Sequence, residues 1–277
     1  MYTAEISRAN PTAFLFLIDQ SRSMSHSWGG GDKRSKAQEV ADAINKLLYT
    51  LVIRCSKGDD VRDWFQVGVV GYGAAVGPCL AGPLAGEALV PVSRLAMNPL
   101  RLTEHAKKAR GGAGGLVATA VKFPVWVEPT ARGDTPMCRA LQLADGILAR
   151  WTAERAPSYP PTVIHVTDGG SSDGDPSAIA EALTRHATED GHALLFNIHL
   201  SSKRGTPVRF PDAEDRLPDD YARMLFRMSS RLPEPIRREA ANEGFPVSEA
   251  SRGFAFNADL TSLIAFLDIG TRAANLR

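Results

Sequence analysis

Ala13-Phe14-Leu15-Phe16-Leu17-Ile18-Asp19-Gln20-Ser21-Arg22-Ser23 is the stretch that decides how the rest of the chain is read. Its first six residues form the longest purely apolar run in the sequence. A short apolar run that stops at an acidic, polar turn reads as a strand buried on both faces, as in a parallel sheet. The turn then places one carboxylate and two hydroxyls, Asp19, Ser21 and Ser23, at alternating positions. Open parallel sheets hold their ligand sites at the carboxyl ends of strands, which is where these three residues fall. A second reading stays open at this point, because Asp and Ser are also good helix N-caps and a helical pattern follows.

Working outward, segment 35–54 carries Ala37, Val40, Ile44, Leu47, Leu48 and Leu51 at helical steps of three and four. Segment 65–72 is a second strand, whose Gly68 and Gly71 suggest close packing against a helix. Helix 136–151, strand 162–167, helix 177–189, strand 193–200, strand 253–257 and a closing helix 260–273 continue the alternation. This predicts an α/β fold, a doubly wound, mostly parallel sheet with helices on both faces and one antiparallel edge strand. Two stretches break the rhythm. Residues 82–132 read as an insertion with one or two extra strands within 116–128. Residues 201–246 are rich in charge and proline, with helical pieces at 219–231 and 234–243. Neither is apolar enough for a core of its own, so one domain over 1–277 is expected.

Composition narrows the functional classes. Of 277 residues, 44% are hydrophobic and 23% charged, which fits an ordinary globular chain and not a disordered or fibrous one. The 32 basic and 31 acidic residues leave a net charge of +1, without the basic excess of a nucleic-acid binder. No apolar run approaches the ~20 residues that span a bilayer, so no membrane partner is expected. Residues 1–11 lack the basic-then-apolar pattern of a secretory leader. The three cysteines, Cys55, Cys79 and Cys138, are odd in number and far apart, which suits a reducing, cytoplasmic setting.

Two further pieces carry polar chemistry. Gly133-Asp134-Thr135-Pro136 precedes a helix, and Thr167-Asp168-Gly169-Gly170 follows a strand. Taken singly, the first reads as an N-cap with proline at the first helical position and the second as a common turn. Taken with Asp19-x-Ser21-x-Ser23, they resemble the metal-ion-dependent adhesion site of von Willebrand factor type A domains. The strand-helix alternation resembles that fold over nearly the whole chain. The resemblance implies metal ligation by Ser21, Ser23 and Thr135 through hydroxyls, and by Asp19 and Asp168 directly or through water. Hard oxygen donors suit Mg²⁺, with Mn²⁺ or Ca²⁺ as alternatives. It further implies an open coordination position that takes a carboxylate from a protein partner. The chain looks most similar to stand-alone intracellular bacterial members, found in signalling and stress or conflict-response systems beside kinases and phosphatases.

A binding site is expected here and not an active site, so the chain is read as no enzyme. Hydrolysis at an open metal position would also need a base or nucleophile. Asp19 has Ser21 two residues on, where haloacid-dehalogenase-like phosphatases place a second Asp. No phosphate-binding Gly-x-x-x-x-Gly-Lys-Ser/Thr loop is present. Arg22, His26 and Trp28 are the candidates for touching a partner, with His26 also the best-placed base for a rival phosphoester hydrolase. A scaffold without ligand capture is the third reading. Trp126 lies near the same rim by sequence, or packs in its strand. His165 and His199 lie inside predicted strands as core residues, and Cys138 reads as a small buried side chain.

Overall fold

The computed structural model of the chain describes residues 2–27, 34–110, 116–201 and 206–257, with side chains described outside 105–121. The predicted closing helix 260–273, Trp28 and the glycine cluster 111–115 lie outside the described residues. The strands of the main sheet and its insertion, in chain order, are β1 Thr12–Asp19, β2 Phe65–Tyr72, β3 Val76–Pro78, β4 Val90–Pro91, β5 Arg101–Arg110, β6 Leu116–Val125, β7 Thr162–Thr167, β8 Leu194–His199, β9 Val208–Arg209 and β10 Phe254–Phe256. The helices are α1 Lys36–Cys55, α2 Val92–Met97, α3 Met137–Glu154, α4 Ser177–Arg185, α5 Asp220–Met228 and α6 Glu234–Asn242.

The main sheet runs β9-β10-β8-β7-β1-β2-β3, with β4 also on β2. The five strands from β10 to β2 are parallel to their neighbours. β1 lies at the centre with all eight residues buried, as an unbroken apolar run requires. Its side chains alternate between two cores. Phe14, Phe16 and Ile18 face one core, which also takes Val40, Ile44 and Leu48 of α1 and Ile236 of α6. Leu15 and Leu17 face the other, with Leu141 and Leu148 of α3, Leu183 of α4 and Leu225 of α5. Fully burying each such side chain contributes about 1.5–3 kcal/mol. The sheet is thus covered on both faces, and its carboxyl edge is left for loops.

Several expectations need correcting. Antiparallel strands sit at both edges, β3 and β4 on one and β9 on the other, where a single edge strand was expected. Gly68 and Gly71 do not receive a helix. A Cβ at Gly68 would collide with the Ala88 carbonyl, and one at Gly71 would strike the Gln20 side chain. The insertion holds α2 and a two-stranded ribbon, β5 against β6. Its base is tied to α1 by Asn45, whose amide donates to Val127 O at 2.9 Å while its carbonyl accepts from Trp126 N at 2.8 Å and Val127 N at 3.0 Å. Trp126 is therefore buried in the core, its indole donating to Leu95 O, and is not a rim residue.

Candidate metal centre

β1 ends at Asp19 and β7 ends one residue before Asp168, and the two strands are neighbours. Adjacent parallel strands deliver their following loops to one spot, so residues distant in sequence meet. Asp19 is 1% exposed and Ser21 2%. Asp19 Oδ1 accepts from Ser21 N at 2.8 Å, and Oδ2 accepts from the Thr167 hydroxyl at 2.7 Å. Ser21 Oγ and Ser23 Oγ are 3.0 Å apart. Ser23 Oγ donates to Asp168 Oδ1 at 2.6 Å, so its proton is not available to Ser21. Four of the five residues named from sequence therefore form one hydrogen-bonded cluster.

Ser21 occupies the N-cap position of a short helical turn, Arg22–Ser25, but its side chain makes no capping bond there. α1 begins at Lys36 and is capped by Ser35 with Gln38 in a reciprocal box, well clear of Asp19 and Ser21. The first amides of α3 are satisfied from another loop: Cys138 N and Arg139 N donate to Asp173 at 2.9 and 3.1 Å. Thr135 is thereby relieved of capping.

Thr135 itself bonds to its neighbours through its backbone. Its N–H donates to Ser172 Oγ at 3.1 Å, and its carbonyl accepts from Ser172 N and Met137 N. No hydrogen bond links it to the Asp19–Ser21–Ser23–Asp168 cluster. Its loop is nevertheless stitched to the first one, with Arg22 N donating to Gly133 O at 3.0 Å and Arg132 N to Gln20 O at 2.6 Å. Gly133 makes that approach possible. It has φ +81°, and a Cβ there would lie 2.5 Å from Ala74 N.

Sequence reasoning missed Lys36. Its ammonium donates to Asp168 Oδ2 at 2.8 Å, with the side chains only 0% and 1% exposed. A signal was present: lysine opens a helix at the positive end of the dipole, where anions are favoured. Such a lysine needs a reason, and the buried carboxylate supplies it. Tyr221 was missed as well. It is half exposed and lies against Gly170, two residues beyond Asp168, so closely that a Cβ there would collide with its ring. Arg22 and His26 are exposed on the same loop as the cluster, which is where partner contacts were expected of them.

Among the described residues the cluster is electrostatically unbalanced, with two carboxylates and one ammonium. Burial pushes the Asp19 carboxyl up, against hydrogen bonds from Ser21 and Thr167 that lower it, and the nearby Asp168 charge adds to the rise. Both donors to Asp19 are neutral. The donor set suits a hard divalent cation. The 3.0 Å spacing of the serine oxygens matches the about 2.9 Å between neighbouring oxygens of an octahedral Mg²⁺ shell. The residues present therefore fit such an ion.

Beneath this lies a second buried polar group. Tyr72 Oη and His165 Nε2 are 2.6 Å apart, and His165 Nδ1 and Asn197 Oδ1 are 2.8 Å apart. The Asn197 amide donates to Leu225 O and Ser229 Oγ. Asn197 Oδ1 must then accept, so His165 carries its proton on Nδ1 and accepts the Tyr72 hydroxyl at Nε2. Burial first of all, with the His199 charge adding slightly and Asn197 opposing, lowers His165 to about 4. This histidine is a satisfied core residue, as the sequence suggested.

No known family model matches the chain, and no curated protein matches it. Among solved structures, proximal thread matrix protein 1 from the mussel byssus aligns with a TM-score of 0.48 and 15% identity, over 98% of this chain and 49% of that one. The vWF domain of the type V pili tip protein Mfa5 from Porphyromonas gingivalis gives 0.35 and 14%, over 58% and 39%. The human COPII-coat protein Sec24c gives 0.37 and 10%, over 70% and 26%. The chain spans half or less of each of these proteins. None of the likenesses is strong enough to carry a functional argument, which rests on the residues. Among the described residues, no helix is long and apolar enough to cross a membrane.

Proposed function

We propose that the chain is a metal-dependent protein-interaction module that captures an acidic side chain of a partner protein. Asp19, Ser21, Ser23 and Asp168 would hold a divalent ion, Mg²⁺ by the hardness of the donors, with Thr135 joining from the adjacent loop. The observation that carries the reading is the convergence of two carboxylates and two hydroxyls, from loops 145 residues apart in sequence, into one part-buried cluster. When bound, the ion supplies an open coordination position for a carboxylate oxygen. The chain's own residues do the rest. Ser21 N–H and Thr167 hold the Asp19 carboxylate in place, and the neutral serine oxygens add no further negative charge to the shell. Arg22, exposed beside the cluster, favours approach of an anion.

The test is a Mn²⁺ titration of the purified chain followed by partner capture with and without EDTA. Micromolar-to-millimolar binding lost in Asp19→Ala, with capture lost in both Asp19→Ala and EDTA, is the expected result. Capture that survives both treatments would overturn the reading. Turnover of a generic phosphoester with Mg²⁺, lost in Asp168→Ala, would favour a hydrolase in its place.

A further inference from the structure

The cluster contains a charge that metal ligation does not call for. Among the described residues, two carboxylates and one ammonium meet there, with Lys36 fully buried against Asp168. Three features make Lys36 a built part of the site and not a stray contact. It is the first residue of α1, held by the Ser35–Gln38 cap, so its backbone is fixed. Its N–H also donates to His26 O at 2.9 Å, which closes the loop that starts at Ser21. Its ammonium takes one oxygen of Asp168 while Ser23 takes the other. The Lys36 stem is packed along its length, with 0% exposure. Removing an ion from water this completely is costly, and only a lasting partner offsets it.

We infer that Lys36 is a resident counter-charge that sets the balance of the site, weakening its hold on the divalent ion and strengthening the ion's pull on an incoming carboxylate. The inference rests on the proposed metal-dependent capture. Counting the described residues, the protein with Lys36 contributes one net negative charge, and a divalent ion converts the centre to net positive. Without Lys36 the same ion would leave the centre neutral. An anionic ligand distinguishes these two states, because Coulomb attraction in a partly desolvated site far exceeds that in water. A lysine that merely propped up Asp168 would act in the opposite direction on the metal, since losing a prop loosens a ligand.

The experiment measures Mn²⁺ affinity by titration, and binding of a fluorescein-labelled hexaglutamate peptide to the Mn²⁺-saturated protein by anisotropy. It is run at pH 8, where His199, which burial lowers from its ordinary value, is neutral. Lys36→Gln keeps a hydrogen-bond donor for Asp168 and removes the charge. The expected result is Mn²⁺ bound at least about tenfold more tightly and peptide at least about tenfold more weakly. Mn²⁺ affinity that is unchanged or weaker in Lys36→Gln overturns the inference and leaves metal-dependent capture intact. Absence of Mn²⁺ binding by the unaltered chain overturns both.

A second comparison covers the case in which the single variant does not fold. Asp168→Asn should lose Mn²⁺ binding by about a hundredfold or more, because Lys36 then cancels Asp19. Adding Lys36→Met to Asp168→Asn removes the buried pair altogether and should restore binding by at least about tenfold. A double variant no better than Asp168→Asn also overturns the inference.

Discussion

Two buried polar groups lie within a few residues of each other in this sheet, and they are built on opposite principles. The Tyr72–His165–Asn197–Ser229 group is neutral, and its hydrogen bonds run in one consistent direction to a backbone carbonyl of α5. The Asp19–Ser21–Ser23–Asp168 group is charged, has carboxylates in excess of ammonium among the described residues, and holds one acid whose proton affinity is raised by burial. Saturated neutral polarity in a core serves the fold, because each bond replaces one lost to water. Uncompensated charge costs stability and persists where something outside the chain completes it. Burial of polar atoms does not by itself mark a site; charge imbalance does.

That contrast is broken or sharpened first by Asp19→Ala. Removing an uncompensated buried carboxylate should abolish Mn²⁺ binding, a loss of more than about a hundredfold, yet leave thermal stability unchanged or raised. A titration and a melting curve on the same sample check both halves. A large drop in melting temperature would mean that Asp19 serves the fold as the lower group does. The converse variant is Asn197→Leu, which strands His165 Nδ1–H and Ser229. It should cost about 2–4 kcal/mol in denaturant unfolding while changing Mn²⁺ affinity less than about twofold.

The two groups also differ in what the sequence discloses. β1, β2, β7 and the apolar faces of α1 and α3 were legible because periodicity reports burial directly. Asp19, Ser21, Ser23 and Asp168 were legible through the resemblance of their loops to a metal-ion-dependent adhesion site, since each loop taken singly reads as a cap or a turn. β5 was not, since Arg101-Leu102-Thr103-Glu104-His105 has no apolar alternation, its pairing being with β6 alone. β3, β4 and β9 are two or three residues long, too short for any period. Lys36 was hidden for a different reason. Asp168 is 132 residues away, so the unfavourable lysine at a helix start signals an anion without saying which one. Thr135 is the reverse case: sequence put it in the cluster, and the structure brings its loop alongside while bonding its backbone to Ser172.

The lower group makes a further prediction that the upper one does not. His165 titrates near 4 in the fold, against an ordinary 6.5, because the buried ring resists charge. As pH falls, the unfolded chain takes up this proton first, so its stabilising effect is complete above about 6.5 and lost progressively towards 4. Unfolding free energy should fall by up to about 3 kcal/mol across that window. His165→Gln, which cannot take the proton, should flatten the slope in urea titrations at stepped pH. An unchanged slope would place the responsible group elsewhere.

The smallest effect tests where Thr135 belongs. Its hydroxyl is relieved of capping by Asp173 and stands outside the hydrogen-bonded cluster, so the fold makes little use of it. Thr135→Val keeps the shape and removes only that oxygen. If Thr135 is a ligand, Mn²⁺ affinity should drop about tenfold, one coordination bond exchanged for water, while stability moves by no more than about 0.5 kcal/mol. If it is a packing residue, valine serves as well and affinity is unchanged. The two outcomes separate a site of four side chains on two loops from one of five on three, and only the latter spans the seam between α3 and the first loop. A divalent ion bridging that seam would hold together loops otherwise joined by the Arg22–Gly133 and Arg132–Gln20 backbone bonds. Metal-dependent protection of those two amides from hydrogen exchange, lost in Thr135→Val, would then accompany the tenfold change.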